Sequence, residues 1–306
     1  MSPQAPKDVG AVVRTRLQRI AKQRREDFQH ILTRYANERL LFRLAQSRHA
    51  DRFVLKGAAL FTVWTGSPHR ATRDLDLLGF GDPDIAQLRD VFKEVLSVHV
   101  PDDGVRFDLA TLQAAPIREE QRYGGVRIEL VAHITRANIH LQVDVGFGDA
   151  ITPEAVEVEV PPLLDFPAPR LRAYPRETVV AEKLEAMVQL GMANSRMKDF
   201  YDVAVLAERF DFEAQTLARA LRATFESRRT ALPTTLPVAL TASFADDPAK
   251  KTQWSAFVRK SGIAAASAKS LAETVSIIVG FIERPLGDAA GAWTPTARWP
   301  AGGPWR

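Results

Sequence analysis

Residues 70–78 read RATRDLDLL, and the two aspartates in that stretch, Asp74 and Asp76, stand one residue apart. If Leu75, Leu77 and Leu78 mark a β-strand, its period of two sends both carboxylates to one face and Leu75 and Leu77 to the other. Two carboxylates held side by side repel, so one takes up a proton unless a cation lies between them. A divalent metal removes that conflict; a solvated, acidic strand end is the plainer reading of the same spacing, and a D-x-D alone does not choose between them. A third acid stands in NIHLQVDVGFGD, residues 138–149, where Ile139, Leu141, Val143 and Val145 alternate with His140, Gln142 and Asp144. Asp144 is therefore expected on the polar face of a strand able to lie beside the first. Three aspartates make an oxygen-only donor set, which suits magnesium rather than zinc or copper. Magnesium with few protein ligands keeps room for phosphate oxygens, as in phosphoryl and nucleotidyl transfer.

The elements that would position these residues read as a mixed α/β module followed by helices. Residues 11–48 have helical spacing, and RFVLKG is a first strand ending at Gly57. A short helix AALFTVW, a loop, the DLD strand and a helix over 84–97 follow. The pattern then turns to strands in VRFDLA, GVRIELVAHI, NIHLQVDVGFGD and AVEVEV, the middle two forming a hairpin across TRAN. From Pro175 onward the chain is helical, with PRETVVAEKLEAMVQLG and SRMKDFYDVAVLAERF as the first two helices. The expected division is an α/β domain over 1–165 with a helical preface, a helical domain over 166–285, and a loosely held tail, rich in Gly, Pro and Ala, over 286–306.

Composition narrows the class of protein. The 306 residues are 46% hydrophobic and 25% charged, ordinary for a soluble globular chain. Lys plus Arg number 41 against 37 Asp plus Glu, a modest excess that permits a polyanionic partner without demanding one. Its location says more, because RTRLQRIAKQRRE carries Arg14, Arg16, Arg19, Lys22, Arg24 and Arg25 before its first acid, Glu26. That helix faces either nucleic acid or solvent. There is no cysteine, which excludes disulfides, zinc–thiolate sites and thiol nucleophiles, and the scattered histidines have no ligand spacing. No apolar run is long enough to span a membrane and no secretory h-region opens the chain, so the cytoplasm is the expected location.

Five segments in order, RFVLKGAALFTVW, RATRDLDLLG, LQVDVGFGD, YPRETVVAEKLEAM and RMKDFYD, resemble the AbiEii/AbiGii-type nucleotidyltransferase toxins, a branch of the DNA polymerase beta-like nucleotidyltransferase superfamily. RYANERLLFRLAQS and FESRRTALPTTLP also look like that family. The resemblance implies an α+β fold: a nucleotidyltransferase-like mixed sheet with flanking helices, then an α-helical domain. It implies an NTP-dependent enzyme that uses Mg2+, with a cognate antitoxin and an acceptor such as a tRNA 3′ end. Carried over by position, Asp74 and Asp76 match the metal-binding pair, Asp144 the third carboxylate, and Thr72 the hydroxyl residue two before the pair. Lys183 matches the lysine of the A-E-K segment and implies a triphosphate contact with little weight in stability. Asp199 and Asp202 match the acidic motif that follows. The superfamily often has Gly-Ser or Gly-Gly where this chain has Gly57-Ala58, which leaves phosphate binding there to backbone amides or to Thr72. The residues alone leave other roles open: Lys183 as a stem covering apolar surface, Asp199 as a first-turn acid at a helix N-terminus, Arg70 and Arg73 as phosphate ligands or partners of the aspartates, and Lys56 as an exposed or structural residue. A protein hydroxyl as acceptor, or a non-catalytic nucleotide- or antitoxin-binding module, are the competing functions.

Overall fold

The computed structural model describes residues 8–66, 70, 72, 74–117, 125–263, 268–291 and 296–306; Arg73 lies outside them. The chain divides into two compact units, Met1–Gly148 with Val156–Ala173, and Asp149–Ala155 with Tyr174–Arg306.

The first unit opens with α1 (Val9–Arg24) and α2 (Phe28–Gln46). The helical stretch expected over 11–48 is thus two helices. Arg25 breaks it by adopting a left-handed φ of 56°, and Asp27 restarts it by accepting a hydrogen bond from the His30 backbone N–H, an N-cap that satisfies one otherwise orphaned donor. The stripe Val13, Leu17 and Ala21 buries one face of α1.

Seven strands form the sheet among the described residues: β1 (Phe53–Lys56), β2 (Leu75–Gly79), β3 (Arg106–Pro116), β4 (Val126–Ile134), β5 (Ala137–Phe147), β6 (Val156–Glu159) and β7 (Arg170–Ala173), in the order β3-β4-β5-β2-β1-β7-β6. The short α3 (Ala59–Thr65) follows β1 and α4 (Ile85–Leu96) follows β2. β2 lies near the centre, antiparallel to β1 and parallel to β5. Its leucines and the apolar set Ile139, Leu141, Val143 and Val145 of β5 are buried, and this fixes which way the alternating polar residues point. The hairpin from β4 to β5 turns at Thr135, as the sequence pattern predicts. β7 was not legible in the sequence: RLRA is four residues long and alternates arginines with small apolar residues, a weak signal for a strand that pairs in parallel with β1.

The second unit is helical, with α5 (Arg176–Leu190), α6 (Met197–Arg209), α7 (Ala214–Ser227), α8 (Ala242–Ala245), α9 (Pro248–Lys260) and α10 (Leu271–Ala289). A mixed sheet with flanking helices followed by a helical unit is the α+β architecture the sequence leads one to expect. The C-terminal segment differs from the expected loose tail. α10 runs on to Ala289, and β9 (Arg298–Trp299) pairs with β8 (Phe212–Glu213). The Trp299 indole is 6% exposed, donates its N–H to the Ala207 carbonyl at 2.7 Å and meets Phe281 edge-on with ring centroids 5.2 Å apart. A buried indole with its N–H satisfied anchors a segment that a count of Gly, Pro and Ala describes as loose.

Candidate active site

The sheet register assembles a row of charge. Lys56 of β1 is the partner of Asp76 of β2, Asp76 is the partner of Asp144 of β5, and Asp144 is the partner of Arg127 of β4. Residues directly opposite on neighbouring strands share a face, with Cβ atoms about 4.5–5.5 Å apart. Four adjacent strands therefore present Arg127, Asp144, Asp76 and Lys56 side by side, two acids flanked by two bases. Leu75 and Leu77 fill the core on the other face, at 1% and 0% exposure, so burial of the leucines is what directs the Asp76 carboxylate to the polar face.

Gly57 makes room for that carboxylate. The turn leaving β1 requires φ +75° there, and a Cβ built on Gly57 falls 2.0 Å from Asp76 Oδ2. Both facts demand glycine: the left-handed backbone and the contact distance. Ala58 next to it is buried, so this turn offers backbone amides and no hydroxyl. Thr72, the candidate hydroxyl, is half-buried.

Asp144 is gripped by Arg127, Nε to Oδ1 at 2.8 Å and Nη2 to Oδ2 at 2.9 Å, a bidentate fork that adds geometry as well as charge. The Gln142 carboxamide donates to the same oxygens at 3.3 and 3.2 Å. The hydrogen bond to Asp144 is the largest influence raising the Arg127 pKa, and Asp74 and Glu129 add to it, so Asp74 lies within electrostatic reach of the same guanidinium. Asp74 is exposed at the edge of a groove of about 700 Å³ on the polar face of β3, β4 and β5.

The donors suit a hard divalent cation: carboxylate oxygens only, two of them from directly paired positions, with a glycine cradle behind one. Among the described residues, no three acidic or imidazole groups are already gathered around one metal position. Asp144 gives both its oxygens to Arg127, and would exchange that fork for an ion.

Lys183, Asp199 and Asp202 come together within the second unit. Lys183 Nζ lies 2.7 Å from Asp199 Oδ1 and 2.7 Å from Asp202 Oδ2, joining α5 to α6. Arg196 Nε adds a contact of 2.6 Å to Asp199 Oδ2. Both aspartates are fully buried. Burial, the largest influence, pushes the Asp199 carboxyl up, yet Lys183 and Arg196 together hold it below the ordinary carboxylate range. The lysine bridges two buried carboxylates, with Arg196 adding a second positive charge at Asp199, which gives it a weight in stability that the sequence did not suggest.

Three contributors escaped sequence reading. Lys56 and Arg127 carry no local signature; only the strand register places them beside Asp76 and Asp144. Arg228, within FESRRTALPTTLP, is the third. It holds Asp149 at 2.8 Å, Glu185 at 2.9 Å and Glu182 at 3.3 Å within the second unit, and Tyr174 donates to Glu182 at 3.0 Å. Burial opposes the charge on Arg228, but the three acids outweigh it and raise its pKa.

A family model described as the nucleotidyl transferase AbiEii toxin of type IV toxin–antitoxin systems matches residues 39–274. Among solved structures, JHP933 from Helicobacter pylori is 15% identical over 86% of this chain and 94% of its own, with a TM-score of 0.51. A second H. pylori structure, described as that of a proposed nucleotidyltransferase, is 16% identical over 87% of this chain and 97% of its own, with a TM-score of 0.49. At such identities the likeness to JHP933 speaks for the fold. No curated protein matches the sequence.

Proposed function

The chain belongs to the AbiEii family of nucleotidyl transferase toxins, and on that premise we propose that it transfers a nucleoside monophosphate from an NTP to an acceptor hydroxyl at the Asp74, Asp76 and Asp144 site. The observation that carries this reading is the pairing of Asp76 with Asp144 across β2 and β5, backed by the glycine turn at Gly57.

In the proposed step the acceptor hydroxyl oxygen bonds to the α-phosphorus and the bond from that phosphorus to the oxygen bridging to the β-phosphate breaks. Pyrophosphate leaves with the electron pair, and the hydroxyl proton passes to an Asp144 Oδ. Asp74, Asp76 and Asp144 would hold Mg2+, which when bound offsets charge on the triphosphate. Arg127 turns its donors to phosphate oxygens once it leaves Asp144, a planar fork suited to that task. The backbone at Gly57 and the Thr72 hydroxyl cradle the phosphates, and Lys56 contributes positive charge on the β1 side. For Lys183 the geometry favours pinning α5 to α6 through Asp199 and Asp202, while the triphosphate contact is what the resemblance implies. The acceptor we propose is the 3′ end of a tRNA, met by the basic α1. The family's type IV toxin–antitoxin setting supports a cognate antitoxin as protein partner. Among the described residues no helix is long and apolar enough to cross a membrane. The site of action we propose is the cytoplasm.

The test is incubation of the protein with each α-labelled NTP, Mg2+ and total RNA. Label should appear on RNA and vanish with Asp76→Asn, while the variant keeps its fold by circular dichroism. Full transfer by Asp76→Asn would remove the aspartates from the chemistry.

A further inference from the structure

The groove beside Asp74 has a chemistry of its own. Among the described residues, Gln29 and Thr33 of α2, Gln113 of β3, Glu129 of β4, and His140 and Gln142 of β5 line it, and no Lys or Arg does. Carboxamides, hydroxyls and an imidazole make up much of this wall, and among the described residues its charges are the acids Glu129 and Asp74, which repel phosphate. It offers paired donors and acceptors instead, the groups that read nucleobase edges. Single-stranded RNA ends are recognised in this way, by hydrogen bonds to base edges and by stacking on flat side chains, histidine among them. About 700 Å³ falls within the usual range for a small-molecule pocket.

The groove is also tied to both ends of the reaction. Gln142 lines it and donates to Asp144, so the groove reaches the proposed proton acceptor. Gln29 stands four residues beyond Arg25, a span of at most about 14 Å of chain. Arg19, Lys22, Arg24 and Arg25 at this end of α1 are all exposed. The acids next in sequence are engaged elsewhere, Glu26 with Arg34 at 2.9 Å and Asp27 as the cap of α2. A cationic turn therefore adjoins a groove rich in base-reading groups, with Glu129 and Asp74 as its acids, that ends at the aspartates.

We propose that this groove binds the terminal nucleotide of an RNA acceptor, reading its base, while Arg19, Lys22, Arg24 and Arg25 hold the phosphates of the strand leading to it. The proposal rests on the transferase reading for its purpose, but binding can be measured without turnover. The triphosphate is left to the carboxylate row itself, between Arg127 at the groove end and Gly57 and Lys56 at the other.

The experiment uses four ten-nucleotide RNAs, identical except for the last base and labelled with fluorescein at the 5′ end. Anisotropy is followed with the full chain in EDTA, without NTP. The wild type should separate the four ends by about tenfold in affinity, the size of one good base contact. Gln113→Ala with His140→Ala, both exposed positions that the fold tolerates, should shrink that spread to under about threefold. Neutralising Arg19, Lys22, Arg24 and Arg25 to Gln should weaken all four RNAs alike and flatten the log–log salt slope by about three. Equal binding of the four ends by the wild type overturns the proposal, as does a spread unchanged in the groove variant. A groove variant that instead alters NTP affinity base by base shows that the groove holds the base of the NTP, and label found on a protein with no RNA bound shows a different acceptor. Label transfer from NTP, assayed separately, reports on the transferase reading: normal transfer with an unchanged spread defeats only the groove, and end discrimination without any transfer defeats only the enzyme.

Discussion

Arg127 occupies both carboxylate oxygens of Asp144, the residue expected to complete a metal site with Asp74 and Asp76. Asp144 is therefore charge-paired without an ion, and an incoming cation competes with a guanidinium. Replacing Arg127 with Gln removes the competitor and exposes Asp144 to the repulsion of Asp76. Without metal, the variant should melt about 2 °C lower, since an ion pair this exposed is worth up to about 1 kcal/mol. It should also bind Mn2+ about tenfold more tightly in the absence of NTP, a difference of roughly 1.4 kcal/mol. Titration followed by electron paramagnetic resonance measures this, and weaker Mn2+ binding would mean that Asp144 does not reach the ion.

Gly57→Ala tests the cradle. A Cβ would stand 2.0 Å from Asp76 Oδ2 at a backbone φ of +75°, so the carboxylate or the turn must move. The left-handed conformation alone costs about 1–2 kcal/mol for a residue with a Cβ. Displacing Asp76 should lower transfer by about 100-fold, the usual effect of a misplacement near 1 Å. The control is Gly66→Ala, which also lies at positive φ, +72°, but has no neighbour within 4 Å of an added Cβ. It should lose stability alone.

The two aspartate strands and the hairpin were legible because each has a local cause, an alternation or a short polar link between two strand-like runs. The partners of those aspartates were not, because register between strands distant in sequence decides them. Lys56 looked featureless on its own, and Arg127 stands 17 residues from the acid it holds. β7 escaped because four alternating residues are a weak pattern, and the break at Arg25 because helical periodicity continues through it. Trp299 was misjudged for a related reason: composition described its segment, whereas a single indole decides whether the segment is held.

That last point yields a test of the C-terminal segment. Trp299→Ala removes a 6% exposed indole and its hydrogen bond to Ala207, and leaves Phe281 facing a void. Substitutions of this kind cost about 3–5 kcal/mol. Urea unfolding followed by circular dichroism should show a loss of that size, and a change below about 1 kcal/mol would restore the picture of a loose tail.

Lys183 separates stability from catalysis most sharply. Lys183→Ala removes a cation 2.7 Å from each of two fully buried carboxylates, Asp199 and Asp202, and breaking buried ion pairs in this way costs about 3–5 kcal/mol. The pH dependence has a definite sign. Because the folded-state pKa of Asp199 lies below its ordinary value of 3.8, its ion pairs stabilise the fold fully above that value and lose their effect as pH falls through the lower, folded-state value. Without the lysine the buried carboxylate protonates more readily, so the stability gap between wild type and Lys183→Ala should be wide at pH 7 and close as pH falls below 3.8 toward the folded-state value. Replacing the lysine and both carboxylates together, Lys183→Met with Asp199→Asn and Asp202→Asn, should recover much of the loss, since the buried negative charges are removed along with the cation that faced them. NTP affinity measured on that refolded triple variant decides the remaining role. Affinity close to wild type leaves Lys183 as the pin between α5 and α6, whereas a loss of tenfold or more in a fully folded variant gives it the triphosphate contact that the family resemblance implies.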